Sequence, residues 1–188
     1  MLRDWPISHI LECESSDDFY SKSWFLSMIE SHVNCKGLPD SSWMHDMYKW
    51  GPTRWPVKWS DFVHITHVDC GVFADLTQIA YTHCGFACAR MQSIVVVKRS
   101  QVELWRKMWA DEGLNPANWI IDENHVYHEL VAFRHNDDTI VFDSTEGHPV
   151  EYGTTTICYE YMRLCEPFDY SVKYNERYLK LHDWTKVN

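Results

Sequence analysis

The stretch DCGVFADLTQIAYTHCGFACARMQSIVVVK, residues 69–98, decides the fold, because it predicts an apolar helix that leads directly into a strand. Apolar residues recur at helical spacing after Cys70, and Asp69 is a favourable N-cap. Gly85 stands where a helix ends, and the β-branched run that follows is typical of a strand. We therefore expect a helix from about residue 69 to 83 beside a strand at 89–98.

The rest of the chain adds helices before this unit and strands after it. Ser16 is the expected N-cap of a helix over 16–33, and residues 34–60, rich in Trp, Gly and Pro, predict irregular chain. Ser100 and Glu103 have the spacing of a capping box, which predicts a helix ending near Gly113. Further strands are expected at 125–133, 139–143 and 156–164, the first two joined by the turn RHNDD. The expectation is an α+β fold, N-terminal helices packed on an antiparallel sheet, in a single domain over residues 1–188.

Composition and charge exclude several classes of partner. The chain has 188 residues and a net charge of −10, with no block of Lys and Arg, which argues against nucleic acid. It has no apolar run of the roughly 18 residues needed to span a bilayer, so no membrane partner is expected. Its start lacks the features of a signal peptide, and its seven cysteines form no compact framework. Reduced thiols in the cytoplasm are therefore expected, and the oligomeric state stays open.

Cys70 is the first candidate for chemistry. It directly follows the expected N-cap, where unpaired backbone N–H groups and the helix dipole stabilise a thiolate. A thiolate is the form that attacks a carbonyl carbon. The alternative is a small buried core residue, which is the usual role of a free cysteine.

Two histidines, His125 and His128, are candidates for the base that would serve this thiol. On a strand, His125 shares a face with Tyr127 and Glu129, whereas His128 lies on the other, apolar face. Antiparallel return of the next strand brings its end, Asp143, towards the start of the first, which places Asp143 beside His125 rather than His128. The expected constellation is therefore Cys70, His125 and Asp143.

Three segments resemble the transglutaminase family. The nucleophile helix of that family is similar to residues 69–94, with its cysteine, V-F-A and A-R. HVYHE at 125–129 resembles the family's H-x-W-x-E strand, with Tyr127 in place of Trp. IVFDST at 140–145 resembles its V-x-D-x-T, with Ser144 where Ala or Pro is common. The likeness covers about residues 62–147.

The resemblance implies a transglutaminase-like (papain-like cysteine protease) fold and a catalytic triad of Cys70, His125 and Asp143. Arg90 and Glu129 fall on structural polar positions of the family. The implied reaction passes through an acyl-thioester on the cysteine, from a peptide or an acyl-carrier-bound donor to an amine acceptor, with no cofactor and no metal. The family uses a tryptophan upstream of the cysteine as an oxyanion donor, and the candidates here are Trp43, Trp50, Trp55 and Trp59.

Other functions remain open at this point. The same triad would serve a cysteine hydrolase, either a peptidase or a glutamine deamidase, and a transglutaminase-like fold can also serve as a catalytically inactive binding module. A zinc site is a weaker alternative, based on His64, His67 and Cys70 and on the pair Cys84 and Cys88.

Overall fold

A five-stranded antiparallel sheet forms the centre of the molecule, in the strand order β6-β5-β4-β3-β7. The computed structural model describes residues 9–32, 42–116, 119–135, 138–150 and 158–164. The strands of the sheet are β3 (Cys88–Val96), β4 (His125–His135), β5 (Asp138–Asp143), β6 (His148–Pro149) and β7 (Cys158–Leu164). A separate parallel pair consists of β1 (Lys49–Trp50) and β2 (His67–Val68).

The described helices are mostly N-terminal to the sheet, with one inserted between its strands. They are α1 (Ser16–His32), α2 (Ser42–Met47), a 3-10 turn (Trp59–Val63), α3 (Cys70–His83) and α4 (Arg99–Asp111). The expected α+β class is therefore confirmed, as are the helix after Asp69 and the strands that follow it. The helix expected over 16–33 is present as Ser16–His32, and the strand expected near 156–164 is present as Cys158–Leu164; residues 33, 156 and 157 lie outside the described residues.

Two helix starts differ from the sequence expectation. For α1, Ser15 rather than Ser16 carries the cap: the Ser15 hydroxyl accepts from the Asp18 N–H at 3.1 Å, and the Asp18 carboxylate accepts from the Ser15 N–H at 3.1 Å. For α4, the predicted capping box of Ser100 and Glu103 is wrong, since the N-cap is Lys98. Glu103 instead accepts a hydrogen bond from Arg99 one turn earlier at 3.0 Å, a pairing that stabilises helix surfaces.

The buried apolar residues form two clusters. One unites α1, α2 and α3 with the 3-10 turn, and Phe25, Ile29 and Phe73 are at its centre. The other lies where α4 and Trp119 pack on β3 and β4, around residues such as Met91 and Leu130. The candidate site lies between the start of α3 and the part of this second cluster that contains the tryptophans.

Two expectations can be compared with the structure: that no segment spans a membrane and that the thiols are reduced. None of the described helices is both long enough and apolar enough to cross a membrane. The expectation that every thiol is reduced is wrong for Cys84, which is disulfide-bonded. Cys13, Cys70 and Cys88 are free thiols.

Candidate active site

Cys70 is the first residue of α3, as the sequence predicted. The side chain of Asp69, the N-cap, accepts a hydrogen bond from the Val72 N–H at 3.0 Å. An α-helix leaves its first N–H groups without an intrahelical partner, so those of Cys70 and Gly71 point out of the helix end. Cys70 as a residue is partly exposed, and it forms part of the wall of a cavity, through which a substrate can reach a nucleophile.

His128 and Asp143 form a buried pair beside this thiol. His128 Nε2 lies 2.8 Å from Asp143 Oδ2, and the Asp143 carboxylate is fully buried. Its other oxygen accepts hydrogen bonds from the N–H groups of Thr145 at 2.9 Å and Glu146 at 3.2 Å. These contacts fix the carboxylate, and the carboxylate in turn fixes the orientation of the imidazole.

His128 is also joined to Cys70 by a side-chain hydrogen bond. Because Nε2 is engaged by Asp143, Nδ1 is the ring nitrogen left for the sulfur. Burial works against a charged His128, but the Asp143 carboxylate and Cys70 outweigh it and raise the pKa of His128 well above its usual value. Burial raises the pKa of the Cys70 thiol, while His128 works in the opposite direction. An imidazole that holds its proton strongly is well placed to take one from the thiol.

His125 lies elsewhere, and the predicted pairing of His125 with Asp143 is wrong. His125 Nδ1 contacts the Asp122 carboxylate at 2.8 Å, and both side chains are substantially exposed. The structure therefore brings together Cys70 and Asp143 of the predicted residues and places His128, not His125, between them.

The register between β4 and β5 explains this difference. The strands pair Val131 with Phe142 and His135 with Asp138, so the pairing extends to within three positions along the chain. Continuing this register sets Asp143 opposite Leu130 and on the same face as His128, which lies two residues away. The five-residue turn RHNDD would have shifted the pairing by one residue and set Asp143 on the face of His125. A change of one residue in register turns a side chain to the other face of a sheet.

A second buried polar cluster lies beside the start of α3. Two of its members, His9 and Asp75, were not predicted from the sequence. The Asp75 carboxylate accepts from the His9 backbone N–H at 2.6 Å and pairs with the Arg90 guanidinium. Glu129 lies 3.5 Å from His9 Nε2 and accepts from the Tyr127 hydroxyl at 2.6 Å. A signal for Asp75 was available, since an acid in the middle of an apolar helix needs a buried partner.

Opposite charges stabilise this cluster, which contains the imidazole of His9 and the carboxylates of Asp75 and Glu129. Burial opposes a charged imidazole at His9, but Asp75 and Glu129 outweigh burial and raise the pKa of His9. Gly71 is required beside it, because a Cβ there would come within 2.6 Å of the His9 ring. The residue next to the candidate nucleophile is therefore fixed by packing against this histidine.

The two candidate sets of zinc ligands are not assembled in the part of the chain that the structure describes. His64 and His67 are exposed, and Cys84 is disulfide-bonded. Within the described ranges, His9, Asp75 and Glu129 are grouped closely enough to hold a metal ion. The Arg90 guanidinium already supplies a positive charge to both carboxylates of that group.

Among the four tryptophans considered as oxyanion donors, Trp50 and Trp55 line a cavity that also contacts Cys70. Trp43 and Trp59 instead pack on Phe25 in the N-terminal core, with ring centroids 5.6 and 5.4 Å from it. Burial raises the pKa of the Asp69 carboxyl, and the neighbouring Trp55 indole works in the opposite direction. The structure therefore reduces the candidates near the thiol to Trp50 and Trp55.

The cavity next to Cys70 has a volume of about 190 Å³, and tryptophans dominate its wall. Trp50 comes from β1, Trp105 and Trp109 come from α4, and Trp119 comes from the segment before β4. These rings contact one another, with centroid separations from 4.7 Å (Trp109 to Trp119) to 6.2 Å (Trp50 to Trp119). The candidate triad thus lies at the edge of an aromatic cavity.

No protein-family model matches the chain, and no curated protein or solved structure matches it either.

Proposed function

We propose that this chain is a cysteine-dependent acyltransferase of transglutaminase-like fold, with Cys70 as nucleophile, His128 as base and Asp143 as the residue that orients the base. The observation that carries the proposal is the continuous chain of contacts from the Cys70 thiol through His128 to the buried Asp143 carboxylate. A thiol, an imidazole and a carboxylate in this order are the parts that acyl transfer requires.

The first half of the reaction acylates the enzyme. His128 takes the proton from Cys70, and the sulfur attacks the carbonyl carbon of an amide or a thioester. The negative charge on the carbonyl oxygen is stabilised by N–H groups at the start of α3, assisted by an indole N–H of Trp50 or Trp55. The bond to the leaving group then breaks, and the leaving amine or thiol takes the proton from His128. The product is an acyl-thioester on Cys70.

The second half releases the acyl group. A primary amine attacks the thioester carbon and gives a proton to His128. The amide bond forms as the carbon–sulfur bond breaks, and the Cys70 sulfur takes the proton back from His128. Water in place of the amine would give a carboxylic acid, which is the outcome expected of a hydrolase. The exposed Glu146 side chain borders the cavity, and its charge favours an amine acceptor, which attacks in its neutral form.

The resemblance to transglutaminases adds support from the sequence. The cysteine at the start of a helix and the aspartate at the end of the second of two paired strands occupy matching places in the family's pattern. The histidine departs from that pattern, since His128 rather than His125 contacts both partners. The family assignment therefore rests on the order of the elements and on the contacts of Cys70 and Asp143.

Intact-protein mass spectrometry tests the proposal. The purified chain is incubated with a glutaminyl peptide or with a carrier-protein thioester, with and without a primary amine. We expect an acyl adduct on Cys70 with one donor, and its disappearance with formation of an amide when the amine is added.

Two variants provide the controls. Cys70→Ala removes the proposed nucleophile, whereas Cys13→Ala removes another free thiol of intermediate exposure. Adduct formation should be lost only in the first variant. An adduct that persists in Cys70→Ala, or no adduct with either donor, would refute acyl transfer at this site. Acid in place of amide, with the amine present, would assign hydrolysis instead.

A further inference from the structure

We infer that the tryptophan-lined cavity beside Cys70 binds an aromatic ring of the acyl donor, close to the carbonyl that Cys70 attacks. This inference rests on the proposed function, because it takes Cys70 to be the residue that is acylated. It assigns the substrate class: an acyl group that carries a ring within one or two bonds of its carbonyl.

The position of the cavity supports this assignment. Cys70 and His128 form part of the wall, so a group that fills the cavity is attached close to the reacting carbon. Val95 and Val126, which are paired across β3 and β4, complete the apolar side. Apolar pockets that adjoin reactive groups are the usual binding sites of small molecules.

The size of the cavity limits what it can hold. Its volume is about 190 Å³, and an apolar protein cavity of about 150 Å³ holds one benzene molecule. A single ring fills this volume, whereas a long fatty acyl chain exceeds it. The wall of indole rings favours an aromatic group over an aliphatic one of equal size, because rings gain additional stabilisation in edge-to-face and offset contacts.

Two residues of this wall carry a buried polar atom, and on these atoms we base the expectation that the ring carries an oxygen. Trp119 Nε1 and Thr145 Oγ1 are buried and have no hydrogen-bond partner among the residues that the structure describes, and both residues line the cavity. Buried polar groups are nearly always satisfied, by protein, water or ligand. An oxygen on the ring could accept from either group, so a hydroxyphenyl group suits this cavity better than a plain phenyl group.

The experiment compares thioesters that share one small leaving group, N-acetylcysteamine, and differ only in the acyl part: acetyl, decanoyl, phenylacetyl and 4-hydroxyphenylacetyl. Loss of the thioester gives kcat/KM for each. We expect phenylacetyl to exceed acetyl by at least about 100-fold, since a single methylene buried in an apolar pocket is already worth roughly 10–200-fold. We expect 4-hydroxyphenylacetyl to be the best substrate and decanoyl to be poor.

Variants test the cavity itself. Val95→Phe fills it and should reduce the preference for phenylacetyl over acetyl at least about 10-fold, by the same pocket energetics. Val63→Phe is the matched control, because Val63 is exposed and does not line the cavity; it should leave the whole series unchanged. If Val95→Phe does not fold, Trp105→Ala enlarges the cavity instead and should shift the preference towards decanoyl.

A binding measurement separates this inference from the proposed function. Calorimetry with Cys70→Ser, which cannot form the thioester, should detect phenylacetamide but not acetamide. If phenylacetamide binds while no thioester acylates wild-type Cys70, the cavity assignment stands and acyl transfer fails. If Cys70 is acylated at rates independent of the acyl group, or if Val95→Phe leaves the preference unchanged, the cavity assignment is refuted and acyl transfer stands.

Discussion

Replacing His128 with Gln should slow acyl transfer by roughly 10²–10⁴-fold, whereas the same change at His125 should leave it intact. The two histidines are three residues apart on one strand, which makes them matched controls for each other. Gln is chosen because its amide can donate a hydrogen bond to Asp143 but cannot take a proton from Cys70. Ala at this position would leave the buried Asp143 carboxylate without its imidazole partner, and breaking a buried pair in this way costs about 3–5 kcal/mol of stability.

The magnitudes follow from the contacts of each side chain. General base catalysis contributes roughly 10²–10⁴-fold, so His128→Gln should raise the barrier by about 3–5 kcal/mol. His125 contacts Asp122 at the surface, and an exposed pair of this kind is worth about 0.2–1 kcal/mol of stability. His125→Gln should therefore leave kcat/KM within about twofold of wild type, because the surface pair of His125 and Asp122 does not contact the reacting atoms.

The assay is the rate at which an acyl thioester modifies Cys70, followed by intact mass, with circular dichroism to show that both variants are folded. The reasoning is refuted if His125→Gln is inactive and His128→Gln retains activity, because the transfer would then not pass through the buried pair. Equal activity of both variants with wild type would also exclude the proposed role of His128.

Two further predictions concern the start of α3. Gly71→Ala should destabilise the chain by about 1–3 kcal/mol, as overpacking does, because the new Cβ would lie within 2.6 Å of the His9 ring. Chemical denaturation measures this change, and an unchanged midpoint would show that the ring moves aside freely. Burial raises the pKa of Asp69 to about 6, so the folded state holds this proton more tightly than the unfolded state, and wild-type stability is lost as the pH rises from about 4 to about 6. Asp69→Asn keeps an oxygen for the Val72 N–H and should be more stable than wild type above that range by about 3 kcal/mol and equal below it, as measured by thermal unfolding across pH; a constant difference at all pH values would rule out this titration.

Local sequence determined the elements that carry the candidate site. Asp69 caps α3, Gly85 adopts a positive φ of 87° after it, and the β-branched run that follows forms β3. Each of these features depends on residues within one or two turns of one another, which is why composition and spacing predicted them. The placement of Cys70 at the start of a helix followed from the same local rules.

Contacts between distant segments could not be predicted in the same way. His9 lies 66 residues before Asp75, with which it shares a hydrogen bond, and no spacing rule links the two. The cavity wall likewise combines Trp50 with three tryptophans more than 50 residues further along the chain. The sequence showed many aromatic residues but not which of them meet.

The choice between the two histidines separates what the sequence determined from what only the tertiary structure decided. The sequence by itself determined that two strands would pair antiparallel and that Asp143 would end the second. Only the tertiary structure decided that the pairing begins with His135 opposite Asp138. Since side chains alternate along a strand, that single residue of register selects His128 instead of His125 as the partner of Asp143.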